Sequence, residues 1–270
     1  MVYLKKDKDM IRRAAWVFIV FAIILTFTSS PVDAALSRDN AVANMKKQAT
    51  VGWSTQKDVT IYYTPKVSSK TYYKGTTYKG IPYSQCRPGN SYQTFDFICG
   101  GSEDGVFSLA TCGSSSTDNG GVCVGNDCST AVLRAWEAAG KTFSINKTDS
   151  LKNGSTEKWG NTATILASAI SSSDGIKFVG KLTYANGDSA SSICTKNGKS
   201  AMTTAYKLLQ KGDSCVKDGH IILITAVSST GITYTDQYGY NINGYSSWHN
   251  GSTMIWSDMY IAGYVPITIF

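Results

Sequence analysis

GHIILITAVSSTGITYTDQYG, residues 219–239, is the stretch on which the fold turns. An apolar, β-branched run from Ile221 to Val227 meets a Ser-Ser-Thr-Gly turn and returns through Ile232 to Gln237, which is the pattern of a β-hairpin. Beyond it, TMIWSDMYIAGYVPITIF (253–270) supplies one or two further strands. Upstream, the texture becomes helical. SRDNAVANMKKQATVGW (37–53) puts Ala41, Met45 and Ala49 on one face behind Ser37 or Asp39 as a cap. TATILASAISSS (162–173) turns Ile165, Ala169 and Ile170 inward, and SAMTTAYKLLQKGD (200–213) reads as a helix or helical turn running into Gly212-Asp213. Helices first and antiparallel strands after predict an α+β domain, not an alternating parallel sheet.

Two stretches between these elements carry no clear period. Residues 59–91, rich in Tyr, Thr, Gly and Lys, read as extended structure and turns. Residues 100–125, full of Gly, Ser, Asp and Asn with two cysteines, read as a long loop tied down by disulfides.

That loop ends in VCVGNDCSTAVLRAWEAAG (122–140), where Cys128 stands directly before a helical segment. Val132, Ala135, Trp136 and Ala139 form an apolar stripe, Arg134 and Glu137 lie off it, and Gly140 can end the helix. A thiol attacks only as thiolate, and the amino end of a helix favours negative charge. Cys128 is therefore a candidate nucleophile, against the plainer reading as a bridged or core cysteine.

The amino-terminal residues set how the other cysteines are read. Lys5, Lys6, Lys8, Arg12 and Arg13 precede an uncharged apolar run from Ala14 to Phe27, then Ser29, Ser30, Pro31 and a Val32-x-Ala34 site. This is the three-part pattern of a secretory signal peptide, residues 1–34, and the run is shorter than the roughly 20 residues that span a bilayer. An exported chain of 35–270 is expected to form one domain, and its cysteines are expected to pair. There are seven, at 86, 99, 112, 123, 128, 194 and 215, so six can make three bridges and one is left over. No pair of Cys-x-x-Cys type has a partner pair at metal spacing, so no metal or other cofactor is expected. The formal charge of +7 falls to +5 without the segment to Ala34, which carries five basic and three acidic side chains. Lys and Arg are scattered, which gives no nucleic-acid surface.

A thiol nucleophile needs a base, and the chain has two histidines. His220 follows Asp218-Gly219 and opens a strand, where it can reach a helix terminus. His249, in GYSSWHNGS, reads as a surface histidine in a loop. The return strand of the hairpin ends in Thr235-Asp236-Gln237, offering a third polar group to orient the imidazole.

At these residues the chain resembles the NlpC/P60 and CHAP-like cysteine peptidases and amidases. NDCSTAVLRAW (126–136) is similar to their D-C-S-G nucleophile segment, KGDSCVKDGHIILITAV (211–227) to P-G-D followed by G-H and an apolar strand, and YKGIPYSQ (78–85) to an upstream G-x-P-Y segment. The resemblance implies a papain-like fold with the nucleophile helix packed on a small antiparallel sheet. It further implies Cys128 as nucleophile, His220 as base and Asp236 as the third catalytic residue, with Gln237 as the alternative because a one-residue slip reverses a strand's faces. Tyr83, Asp127 and Ser129 match positions that line the substrate site in some members; by themselves they read as a packed tyrosine, a helix cap and a helix-start serine. Thr130 departs from the family's glycine, Asp236 from the histidine common in the NlpC/P60 branch, and the Cys-rich insert at about 84–126 has no counterpart. The activity so implied is a secreted, wall-associated hydrolase of amide bonds in peptidoglycan peptides, working without a metal, nucleic acid or membrane. An acyltransferase or transglutaminase-like enzyme on the same dyad, and an inactive wall-binding protein, are the alternatives.

Overall fold

The computed structural model describes residues 35–55, 58–64, 68–83, 106–107, 127–143, 162–239 and 247–270. The expected signal peptide, nearly all of the Cys-rich insert and the polar stretch at 144–161 lie outside them. Contacts group the chain into two units, Met1–Ala35 and Leu36–Phe270. No helix among the described residues is long and apolar enough to cross a membrane.

Helix α1 (Arg38–Thr50) starts at Ser37, whose Oγ accepts from the Asn40 N–H, and it buries Ala41, Met45 and Ala49 as their spacing predicts. Strand β1 (Gly52–Thr55) follows, then a hairpin of β2 (Val59–Thr64) and β3 (Ser68–Tyr72). The short β4 (Tyr78–Lys79) and β5 (Val106–Phe107) flank β1, antiparallel and parallel respectively. Trp53, Tyr72 and Tyr78 close this corner with ring centroids 4.8 to 4.9 Å apart.

Helix α2 (Cys128–Ala138) is capped by Asp127 and ends where Gly140 takes a φ of 102°, open to glycine without strain. The expected one-sided stripe is corrected here: every residue from Cys128 to Trp136 is buried, Arg134 included. The cause is that α2 is sandwiched, with α1 against it and the sheet behind. Gln48 donates to the Ala131 carbonyl at 3.0 Å, and Trp136 Nε1 to the Gly212 carbonyl at 2.8 Å.

Helix α3 (Thr162–Ser171), strand β6 (Lys177–Phe178) and helix α4 (Ala190–Tyr206) lead into the main sheet. Its other strands are β7 (Ser214–Lys217), β8 (His220–Val227), β9 (Gly231–Gln237), β10 (Trp248–Ile255) and, after helix α5 (Trp256–Ile261), β11 (Val265–Thr268). The order is β10-β9-β8-β7-β11-β6, antiparallel throughout. The fold class is thus α+β, as the hairpin implied. Ile221 to Ile224 are all fully buried, because α2 packs on β8 and β9, and that burial is why the run is continuous and not alternating.

The expectation that six cysteines pair is also corrected. Cys194 and Cys215 are free and buried. Cys194 Sγ donates to the Tyr264 carbonyl, Cys215 sits fully buried in β7, and both behave as small core hydrophobes. Burial pushes the Cys194 thiol up to about 11 and the Cys215 thiol well above its usual range. Cys86, Cys99, Cys112 and Cys123 fall outside the described residues.

Candidate active site

Three elements converge on one end of the sheet. Cys128 is the first residue of α2, His220 the first of β8, and Asp236 the penultimate residue of β9. The turn before His220 is tight, with Lys217 paired to His220 across it and Gly219 at a φ of 81°. The hairpin register then brings Asp236 level with the imidazole: His220 Nε2 donates to Asp236 Oδ2 at 2.5 Å. With the N–H on Nε2, the ring's Nδ1 is left as the acceptor.

Cys128 is 7% exposed, and the backbone N–H groups of Ile221, next to His220, and of Ser129 act on its sulfur to lower the thiol's pKa. Among the described residues no hydrogen bond joins the thiol to either imidazole. Burial first, then the Asp127 charge, push the thiol up to about 12, with Asp236 adding to the rise and the two N–H groups opposing it. The helix-terminus expectation is therefore outweighed: the resting thiol is neutral, and the carboxylate that caps the helix is itself part of the reason.

Asp236 is 1% exposed. Burial raises its pKa, but hydrogen bonds from His220 and then His249 outweigh that and leave it below the ordinary carboxylate value. His249 Nδ1 donates to Asp236 Oδ1 at 2.9 Å, so both oxygens of one carboxylate serve histidines. The reading of His249 as a loop histidine is corrected: it lies in β10, directly opposite Asp236 in the β9 register, with its side chain 28% exposed. Gly, Ser and Asn around it hid a strand whose pairing comes from its neighbour.

Gln237 points elsewhere. Its Nε2 donates to the Ile81 carbonyl at 2.8 Å, which also accepts from Trp248 Nε1 at 2.8 Å, so it anchors the 78–83 segment and leaves the imidazole alone. Tyr83 is half-buried beside Gly239, just past Asp236. Asp127 accepts from both the Thr130 N–H and the Ser129 hydroxyl at 2.8 Å, so these two residues build the helix cap that presents Cys128. Tyr238 was missed by sequence reasoning. It is 58% exposed and lies against both imidazoles, 5.6 Å from His220 and 4.9 Å from His249 between centroids. The signal was there, since residue 238 shares the side of Asp236 by strand alternation.

Beside the β7–β8 turn lies a cavity of about 460 Å³, lined by Leu166, Ile170, Asp188, Lys217, Asp218 and Gly219 among others. No cluster of three or more His, Cys, Asp or Glu among the described residues is arranged to hold a metal. Comparison with protein-family models, curated proteins and solved structures returns no match.

Proposed function

We propose that this chain is an exported cysteine hydrolase with a papain-like NlpC/P60 or CHAP-type fold, cleaving amide bonds in peptidoglycan peptides at the cell wall. The observation that carries the reading is the His220 to Asp236 hydrogen bond, formed on the two strands against which the Cys128 helix packs. A buried carboxylate on one nitrogen of a histidine, with a cysteine at a helix start beside the same strand, is the arrangement a thiol needs for activation by a base.

Cys128 Sγ attacks the amide carbonyl as its proton passes to His220 Nδ1. Because burial makes the thiol hold its proton, proton transfer accompanies attack. Asp236 stabilises the imidazolium so formed, and a backbone N–H at the start of α2 receives the oxyanion. His220 then protonates the departing amine. Water, deprotonated by His220, opens the thioester and frees the acid.

The test is incubation of the mature chain with purified peptidoglycan in the presence and absence of a labelled amine. Release of soluble peptides without label supports hydrolysis; incorporation of label identifies an acyltransferase instead; no change in the wall polymer refutes both.

A further inference from the structure

We propose that His249 is a positioning residue of this site: through Asp236 it fixes the carboxylate against His220, and when it takes a proton from solvent its charge opposes the imidazolium that His220 must form, so the site works only while His249 is neutral. The inference rests on the reading of Cys128, His220 and Asp236 as a hydrolytic site.

A carboxylate held through one oxygen can swing about its χ2 bond; one held through both is fixed. Asp236 Oδ2 accepts from His220 and Oδ1 from His249, and the residue is buried. The nucleophile helix packs on β8 and β9, the strands of His220 and Asp236, and this gives the base's role to His220 and the supporting role to His249. It is instead the ring nearer to water, with its side chain 28% exposed against 11% for His220.

The consequence is electrostatic. One carboxylate between two imidazoles supports one imidazolium well and a second poorly, because the two cations repel across it. Catalysis requires a transient imidazolium at His220, so a cation already present at His249 opposes it. The groups facing His249 are few. Asp236, Tyr234 and Tyr238 approach it from β9, and His220 lies behind Asp236. The rise of its pKa comes from the Asp236 hydrogen bond first, reduced by burial and reinforced by the Asp236 charge; no residue of α1 or α5, which also pack on β10, contributes.

With only two histidines in the chain, nitrogen-15 histidine NMR reads both rings without ambiguity. In the mature wild-type chain the His220 ring should carry its proton on Nε2 and the His249 ring on Nδ1, and the His249 ring should titrate in two steps, sensing its neighbour across Asp236. In His220→Asn, which removes the neighbouring ring, His249 should titrate in one step with its midpoint raised, by about one pH unit for loss of a neighbouring cation. In parallel, the acid limb of kcat/KM on peptidoglycan should approach a slope of about two in the wild type and about one in His249→Asn. His249→Ala, which also loses the hydrogen bond that the Asn amide keeps, should lie about tenfold below His249→Asn at every pH. An identical His249 titration in wild type and His220→Asn would overturn the inference. Coupled titrations in a chain that cleaves no peptidoglycan would uphold the coupling and sink only the proposed function; cleavage with independent titrations would do the reverse.

Discussion

Asp236 is the residue on which the proposed chemistry depends most, because its two oxygens are both spent on imidazoles and its burial keeps it from bulk solvent. Asp236→Ala removes the charge and both acceptors, and should lower kcat/KM by about a thousandfold or more with the fold kept. Asp236→Asn retains an acceptor but no charge, and should fall between that and the wild type. Gln237→Ala should cost activity least of the three: the Ile81 carbonyl keeps its Trp248 donor, and Gln237 Oε1 has no partner among the described residues, so the loss is the Ile81 bond and a long one of 3.4 Å to Ser247 Oγ, about 1 kcal/mol of stability. Steady-state kinetics with urea titrations of all three variants check the order. If Gln237→Ala were the most damaging to turnover, the orientation of the strand would be wrong.

The hairpin that positions Asp236 was legible in the sequence, since the run from Ile221 and the Ser-Ser-Thr-Gly turn are local signals. That Asp236, and not Gln237, stands over His220 came from the family resemblance and not from the strand pattern, because alternation gives two faces without saying which one α2 covers. Strand β10 and helix α5 were harder still. Trp248 to Ile255 is extended only by virtue of pairing with β9, and Gly198 breaks the helical pattern of α4 with a φ of 67°. Tertiary partners decide such segments. Gly231 shows how closely β9 and β10 are fitted: a Cβ there would lie 2.2 Å from the Met254 carbonyl oxygen. Gly231→Ala should therefore destabilise by about 3 kcal/mol, read as a lower urea midpoint. Because Gly231 opens β9 and Asp236 stands near its other end, the folded fraction should keep its kcat. A stable variant with reduced kcat would show instead that the turn end of the hairpin acts on the site.

Taken together, the described residues hold three free thiols, all buried: Cys128, Cys194 and Cys215. Counting cysteines predicted one free thiol, since a count carries no information on which sulfurs the core encloses. The pKa of each is raised, so each holds its proton more tightly folded than unfolded. A group raised in this way stabilises the fold fully below its unfolded value, 9.0, and that contribution is lost as pH climbs toward the folded value. Melting temperature should hold steady to about pH 9 and fall steeply above it, with Cys194→Ala less sensitive to alkali than the wild type; calorimetry from pH 7 to 11 measures this. The central claim, that Cys128 is the nucleophile of a peptidoglycan hydrolase, is tested most directly by digesting purified peptidoglycan with the wild type and with Cys128→Ala and identifying the new termini by mass spectrometry. The account predicts one type of newly freed amine and carboxylate with the wild type and none with Cys128→Ala. Identical termini from both proteins, or none from either, would contradict it.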